Sequence, residues 1–118
     1  MSDRPAPAPP PAVVIRYATG LPEGADPPPN QQPYATWGDE GTLLIVTWGS
    51  SRCPRLPVSV EPDDPHTVIV RTELYLPGGP CTRDFVPTTA VVAVPPGLDD
   101  TSPPRVLLDD AETELAPR

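Results

Sequence analysis

Cys53 and Cys81 are the only cysteines in a chain of 118 residues. Each follows a strand-like apolar run, in Trp48-Gly49-Ser50-Ser51-Arg52-Cys53-Pro54 and Cys81-Thr82-Arg83-Asp84. Two thiols so placed can form a disulfide, stay reduced, or bind a metal. A structural zinc site needs further soft ligands, and the lone His66 does not supply them. The expected state is a bridge tying the two loops, with two reduced thiols as the alternative. Closing a loop of this length stabilises a fold by about 3–4 kcal/mol in the chain-entropy picture.

Other residues with chemical potential are scattered. His66 stands in Asp63-Asp64-Pro65-His66, where a divalent-ion site or the acid-base end of a triad is conceivable. Pro65 holds the backbone extended or turned there, and no nucleophile sits nearby in a sharp strand-to-helix elbow. Ser50 and Ser51 lack the second glycine of G-x-S-x-G, and side-chain to backbone hydrogen bonding in a turn accounts for them. The acidic pairs Asp39/Glu40, Asp63/Asp64, Asp99/Asp100 and Asp109/Asp110 lack the spacing of a calcium loop and read as solvated turns. No phosphate-binding loop, dinucleotide glycine fingerprint or paired His/Glu motif occurs. The expectation is a protein that is not an enzyme and takes no cofactor or metal.

The elements that must position these residues are set by proline. Twenty-two prolines accompany 8 glycines, and they cluster. Residues 13–18, 42–49, 66–76 and 88–94 contain none, so strands punctuated by turns are expected. The predicted strands are 13–17, 34–37, 42–48, 57–61, 66–76, 88–94 and 105–108. The run Thr42 to Trp48 is apolar on both faces and is expected to be central and buried. In the run from His66 to Leu76, alternation puts Val68, Val70, Leu74 and Leu76 on the buried face. No helical segment of ten residues is evident. The pattern predicts an all-β fold, a small immunoglobulin-like β-sandwich of about six to seven strands, with a small partly open barrel as the alternative. Residues 1–12 read as a disordered Pro/Ala tail, 13–110 as the single domain, and 111–118 as a flexible acidic tail.

Sixteen acidic against eight basic residues give a net charge of −8. That repels the phosphate backbone, so nucleic acid is not an expected partner. No apolar run is long enough to span a bilayer as a helix, so no membrane insertion is expected. The first twelve residues have no apolar h-region. The expected location is therefore the cell envelope or the exterior if a leader has been removed, and otherwise the cytoplasm.

The order of Trp48-Gly49-Ser50-Ser51, Cys53-Pro54, Cys81-Thr82, Asp84, Pro87-Thr88-Thr89 and Pro95-Pro96-Gly97-Leu98 resembles a group of small actinobacterial proteins, many exported or lipoprotein-like. The resemblance covers about residues 42–98. It implies a cell-envelope β-domain with a Cys53–Cys81 bridge and supplies no activity to carry over. The chain departs from an exported member in lacking a leader and a lipidated cysteine at its N-terminus.

The expected function is that of a monomeric, non-enzymatic binding or structural module with a protein partner. Its possible contact residues are Tyr34, Trp37, Arg52, Arg55 and Arg83. Trp48 is expected in the core, against the bridge. Core packing is also the first expectation for Trp37, with exposed contact as its alternative. A different function is a small inhibitor of a secreted hydrolase, with Arg52-Cys53-Pro54-Arg55 or Pro80-Cys81-Thr82-Arg83 entering a trypsin-like pocket by its arginine.

Overall fold

Runs of β-branched and aromatic residues, cut by prolines and glycines, form strands in the computed structural model, which describes residues 9–22, 24, 31–39, 41–76, 78–95, 105–109 and 111–114. The strands are β1 Val14–Thr19, β2 Tyr34–Trp37, β3 Thr42–Gly49, β4 Arg55–Asp64, β5 Thr67–Leu74, β6 Val86–Ala93, β7 Arg105–Leu108 and β8 Ala111–Glu114. No helix occurs among the described residues. The strands make two four-stranded sheets, ordered β1-β6-β3-β2 and β4-β5-β7-β8. Every pairing is antiparallel except that of β5 with β7.

The core lies between the sheets. Ala35, Leu43, Ile45 and Val92 from one sheet meet Val68, Val70, Val106 and Leu108 from the other, all buried. The architecture is thus the expected β-sandwich and not a closed barrel. Its strand order differs from the ABED and CFG sheets of constant immunoglobulin domains. As its pattern requires, β3 is central, between β6 and β2. Leu43 and Ile45 face the core, while Val46 and Trp48 are buried on the opposite face. That outer face is approached by the segment after β1. Thr89 Oγ1 donates to Gly20 O at 2.7 Å, and Gly20 N donates to Pro87 O at 2.8 Å. Gly20 to Pro22 line a hollow together with Leu44, Thr89 and Val91.

Several boundaries differ from expectation. The turn expected over Pro62–Pro65 is shorter, because β4 continues to Asp64 and its register shifts between Pro57 and Ser59 and between Pro62 and Asp64. Prolines are tolerated in β4 because it is an edge strand, where a missing N–H breaks no ladder on the open side. Leu74 and Leu76 were expected on the buried face; they are 57% and 59% exposed. β7 ends opposite Val70, so at Leu74 β5 has only β4 beside it in the sheet.

The acidic tail expected from residue 111, with at most a helical turn, instead begins with β8. Asp109, at φ 54°, turns the chain so that Leu108 pairs with Ala111. Aspartate tolerates this left-handed conformation better than most residues. Residues 115–118 lie outside the described residues. So does most of the expected N-terminal tail, which is described from Pro9; Val14 N donates to Pro11 O at 3.0 Å.

Candidate functional site

β3 ends at Gly49, β4 begins at Arg55, β5 ends at Leu74 and β6 begins at Val86, so the loops 50–54 and 75–85 meet at one end of the sandwich. They are joined by a Cys53–Cys81 disulfide with the Cα atoms 5.4 Å apart. The bridge is asymmetrically placed. Cys53 is buried at 3% exposure, whereas Cys81 is exposed.

A hydrogen-bonded cluster repeats the crosslink without covalent bonds. Ser50 Oγ accepts from Cys53 N at 3.2 Å, Arg52 N at 3.2 Å and Thr82 N at 3.0 Å. Ser50 Oγ and Thr82 Oγ1 share a hydrogen bond at 2.7 Å, and Ser51 Oγ and Thr82 Oγ1 another at 3.1 Å. Ser51 N donates to Asp84 Oδ1 at 3.0 Å, and Thr82 Oγ1 donates to the same oxygen at 2.5 Å. Hydrogen bonds from Ser51 and then Thr82 favour the ionised carboxyl, so Asp84 is held well below the usual carboxylate range, at about 2. Ser50 acts as expected, its Oγ accepting from turn N–H groups, whereas the Ser51 hydroxyl meets Thr82 Oγ1 across the two loops. Their connection to Thr82 and Asp84 is new, and its sequence signal is the T-x-D spacing directly after Cys81.

The arginines expected to make contacts take three different roles. Arg55 is half-buried and committed, with Nε donating to Thr72 Oγ1 at 2.9 Å and Nη2 to Thr72 O at 3.0 Å. Arg52 is exposed, but it precedes the buried pair Cys53 and Pro54, and its guanidinium lies near Gly79. Arg83 sits in a stretch in which every residue from Gly78 to Phe85 is exposed, Phe85 at 60%. The geometry brings Arg52 and Arg83 to one surface and removes Arg55 from it.

Tyr34 and Trp37 do not join this surface as exposed contacts. Tyr34 is half-buried, its ring 6.1 Å from that of buried Trp48, and burial raises the pKa of its phenol. Trp37 packs against the core. At the loop end, Tyr17 of β1 and Tyr75 meet edge to face at 5.9 Å and pin one sheet to the other.

Among the described residues, His66 and the serines considered for chemistry lie far apart. His66 lies at the β4–β5 turn, where its N–H donates to Asp64 Oδ1 at 2.7 Å. The length of β4 separates it from Ser50 and Ser51, about 30 Å at strand rise. Among the described residues no group of three or more His, Cys, Asp or Glu side chains is placed to hold a metal ion. Asp99, Asp100 and Asp110 lie outside them.

A second polar group, Arg55, Thr72 and Asp109, borders a hollow of about 790 Å³ on the β4-β5-β7 sheet. Thr72 is 4% exposed. Its N–H donates to Asp109 Oδ1 at 2.8 Å, its hydroxyl donates to Asp109 Oδ2, and its hydroxyl and carbonyl oxygens accept from Arg55. Every polar atom of this threonine is used, so the group is a strut that closes β7 onto β5.

No protein-family model matches the chain, and no curated protein or solved structure matches it either.

Proposed function

We propose that the chain is a non-enzymatic binding module that offers the Gly78–Phe85 segment, with Arg52 beside it, to a protein partner. The observation that carries this reading is the combination of full exposure with immobilisation. The segment is solvent-facing along its whole length, yet it is held by a disulfide at Cys81 and hydrogen bonds at Thr82 and Asp84. Ordering a loop costs binding free energy, and a loop already ordered avoids that cost. In this reading the sandwich serves as immunoglobulin-like domains do, with loops at one end of rigid sheets carrying the contact.

The same reading places the protein at the cell envelope or outside the cell. Disulfides persist in oxidising compartments, and the resemblance to exported actinobacterial proteins points the same way.

The test replaces Gly78–Pro80 and Thr82–Phe85 with Gly/Ser residues, keeping Cys81, and compares capture of envelope and secreted proteins by the two forms. The expected result is a partner retained by the native chain and lost with the replaced loop, while circular dichroism and disulfide content stay the same. Equal capture by both forms overturns the assignment of this surface.

A further inference from the structure

We infer that Arg83 is the specificity residue of a substrate-like loop that occupies and inhibits a serine peptidase of trypsin-like preference. The inference rests on the binding reading above and names the partner's chemistry. A trypsin-like specificity pocket carries an acid at its base and accepts an arginine or lysine side chain from a segment laid across the pocket mouth. Such a segment must be exposed on both sides of the entering residue. Pro80, Cys81 and Thr82 before Arg83, and Asp84 and Phe85 after it, are all exposed. Arg52 fails this condition, because Cys53 and Pro54 immediately after it are buried. Arg55 fails as well, its guanidinium being bonded to Thr72. Of Arg52, Arg55 and Arg83, Arg83 alone can be presented as a substrate is.

The supports around Arg83 distinguish an inhibitor from a substrate. Two residues before it stands the bridged Cys81. Thr82 and Asp84 are bonded side chain to side chain across it, and both are tied to the opposite loop, Thr82 N to Ser50 Oγ and Asp84 Oδ1 to Ser51 N. Suppose the peptidase serine attacks the Arg83 carbonyl. The Arg83–Asp84 bond breaks, the serine oxygen becomes acylated, and the Asp84 amine leaves carrying the proton delivered by the peptidase histidine. In a flexible peptide that amine diffuses away and water completes hydrolysis. Here Asp84 remains bonded to Ser51 and Thr82, and Cys81 remains bridged to Cys53, so the amine stays beside the acyl carbon. Reversal then competes with hydrolysis, because a held nucleophile has a large effective concentration. Protease–inhibitor complexes involve little backbone movement on binding, and this loop is braced in advance.

The experiment measures amidolysis of a chromogenic arginine substrate by trypsin in the presence of the oxidised protein, its disulfide verified by mass before and after alkylation. The expected result is dose-dependent inhibition at micromolar protein or below, weakened at least about 100-fold in Arg83→Ala and within about threefold of native in Arg105→Ala, Arg105 being an exposed residue paired with Thr67 away from the loop end. Arg83→Leu is expected to transfer inhibition from trypsin to chymotrypsin. Thr82→Val, which removes the clasp and keeps the bridge, is expected to convert the loop to a substrate cleaved after Arg83. The proposal is overturned by no inhibition at micromolar native protein, by rapid cleavage after Arg83 in the native protein, or by inhibition that survives Arg83→Ala. If the loop-dependent partner of the preceding test is still captured by Arg83→Ala while trypsin is unaffected, the binding surface stands and the peptidase assignment falls; if both are lost with the replaced loop only, the surface binds by other residues.

Discussion

Ser50 Oγ and Thr82 Oγ1 lie 2.7 Å apart, one in each of the two loops that the Cys53–Cys81 disulfide joins. The loop end is therefore crosslinked twice, once through sulfur and once through hydroxyls. The two crosslinks act on different states: the disulfide restricts the unfolded chain as well as the folded one, whereas the hydroxyl contacts exist only in the fold.

Replacing both cysteines by serine is expected to lower stability by about 3–4 kcal/mol for a bridge spanning 28 positions. Urea unfolding of the oxidised native protein against Cys53→Ser/Cys81→Ser measures it. A difference below 1 kcal/mol, well short of that entropic expectation, would show the bridge to be structurally idle.

Asp84 is expected to give the fold an acid-side pH dependence. Its carboxyl titrates at about 2 in the fold against an ordinary 3.8. A depressed folded value means that the stabilisation is present above about 3.8 and is lost as pH falls from there through about 2. Carbon-detected NMR of the Asp84 carboxyl follows the group itself, and Asp84→Asn should flatten the stability curve across that window. A midpoint near 4, the value of an unperturbed aspartate, would mean the contacts to Ser51 and Thr82 do not persist in solution.

Asp109→Ala is expected to cost about 2–4 kcal/mol, because it strands the buried N–H and hydroxyl of Thr72 and leaves a Cβ-bearing residue at φ 54° without a compensating hydrogen bond. Asp109→Gly accepts the backbone but still loses the strut, so it should fall between native and Ala. Denaturant titration of the three proteins gives the order directly.

Leu108→Ala is expected to cost about 2–5 kcal/mol, since Leu108 is 1% exposed within the shared core. Phe85→Ala is expected to change stability by less than about 0.5 kcal/mol, as Phe85 is 60% exposed. Thermal unfolding of both variants separates core from contact surface; a large loss in Phe85→Ala would mean that this ring supports the loop.

Proline made the strands legible. Tyr34–Trp37 and Arg105–Leu108 match their expected bounds, and β3 extends its expected run by a single glycine. β8 was hidden because Ala111-Glu112-Thr113-Glu114 has little intrinsic strand preference; it is extended only because the Asp109 turn lays it beside β7. Alternation correctly put Val68 and Val70 inside, but a period of two says which side a residue faces and not how far the neighbouring strand reaches: β7 stops beside Val70 and β5 at Leu74, and Leu74 and Leu76 are exposed. At the loop end the cysteine pairing was readable from position alone. The contrast between Arg52 and Arg83 was not, since both adjoin a cysteine segment and differ only in what is buried after them. For Trp37 the first expectation holds: it is partly buried and packs against the core, although turn residues follow it in the chain.

The register of β1 against β6, with Val14 opposite Val92 and Thr19 opposite Thr88, sets the order in which the molecule can be assembled. Among the described residues β1 is the first strand in chain order, and β6 is the strand beside it in the sheet. Its backbone groups have no ladder partner until residues as late as Val92 have been made. The β4–β5 hairpin, by contrast, can close as soon as it emerges. Contacts of such large sequence separation slow folding toward the millisecond-to-second range. A newly made chain therefore carries β1 without its ladder partner until the residues of β6 have been made.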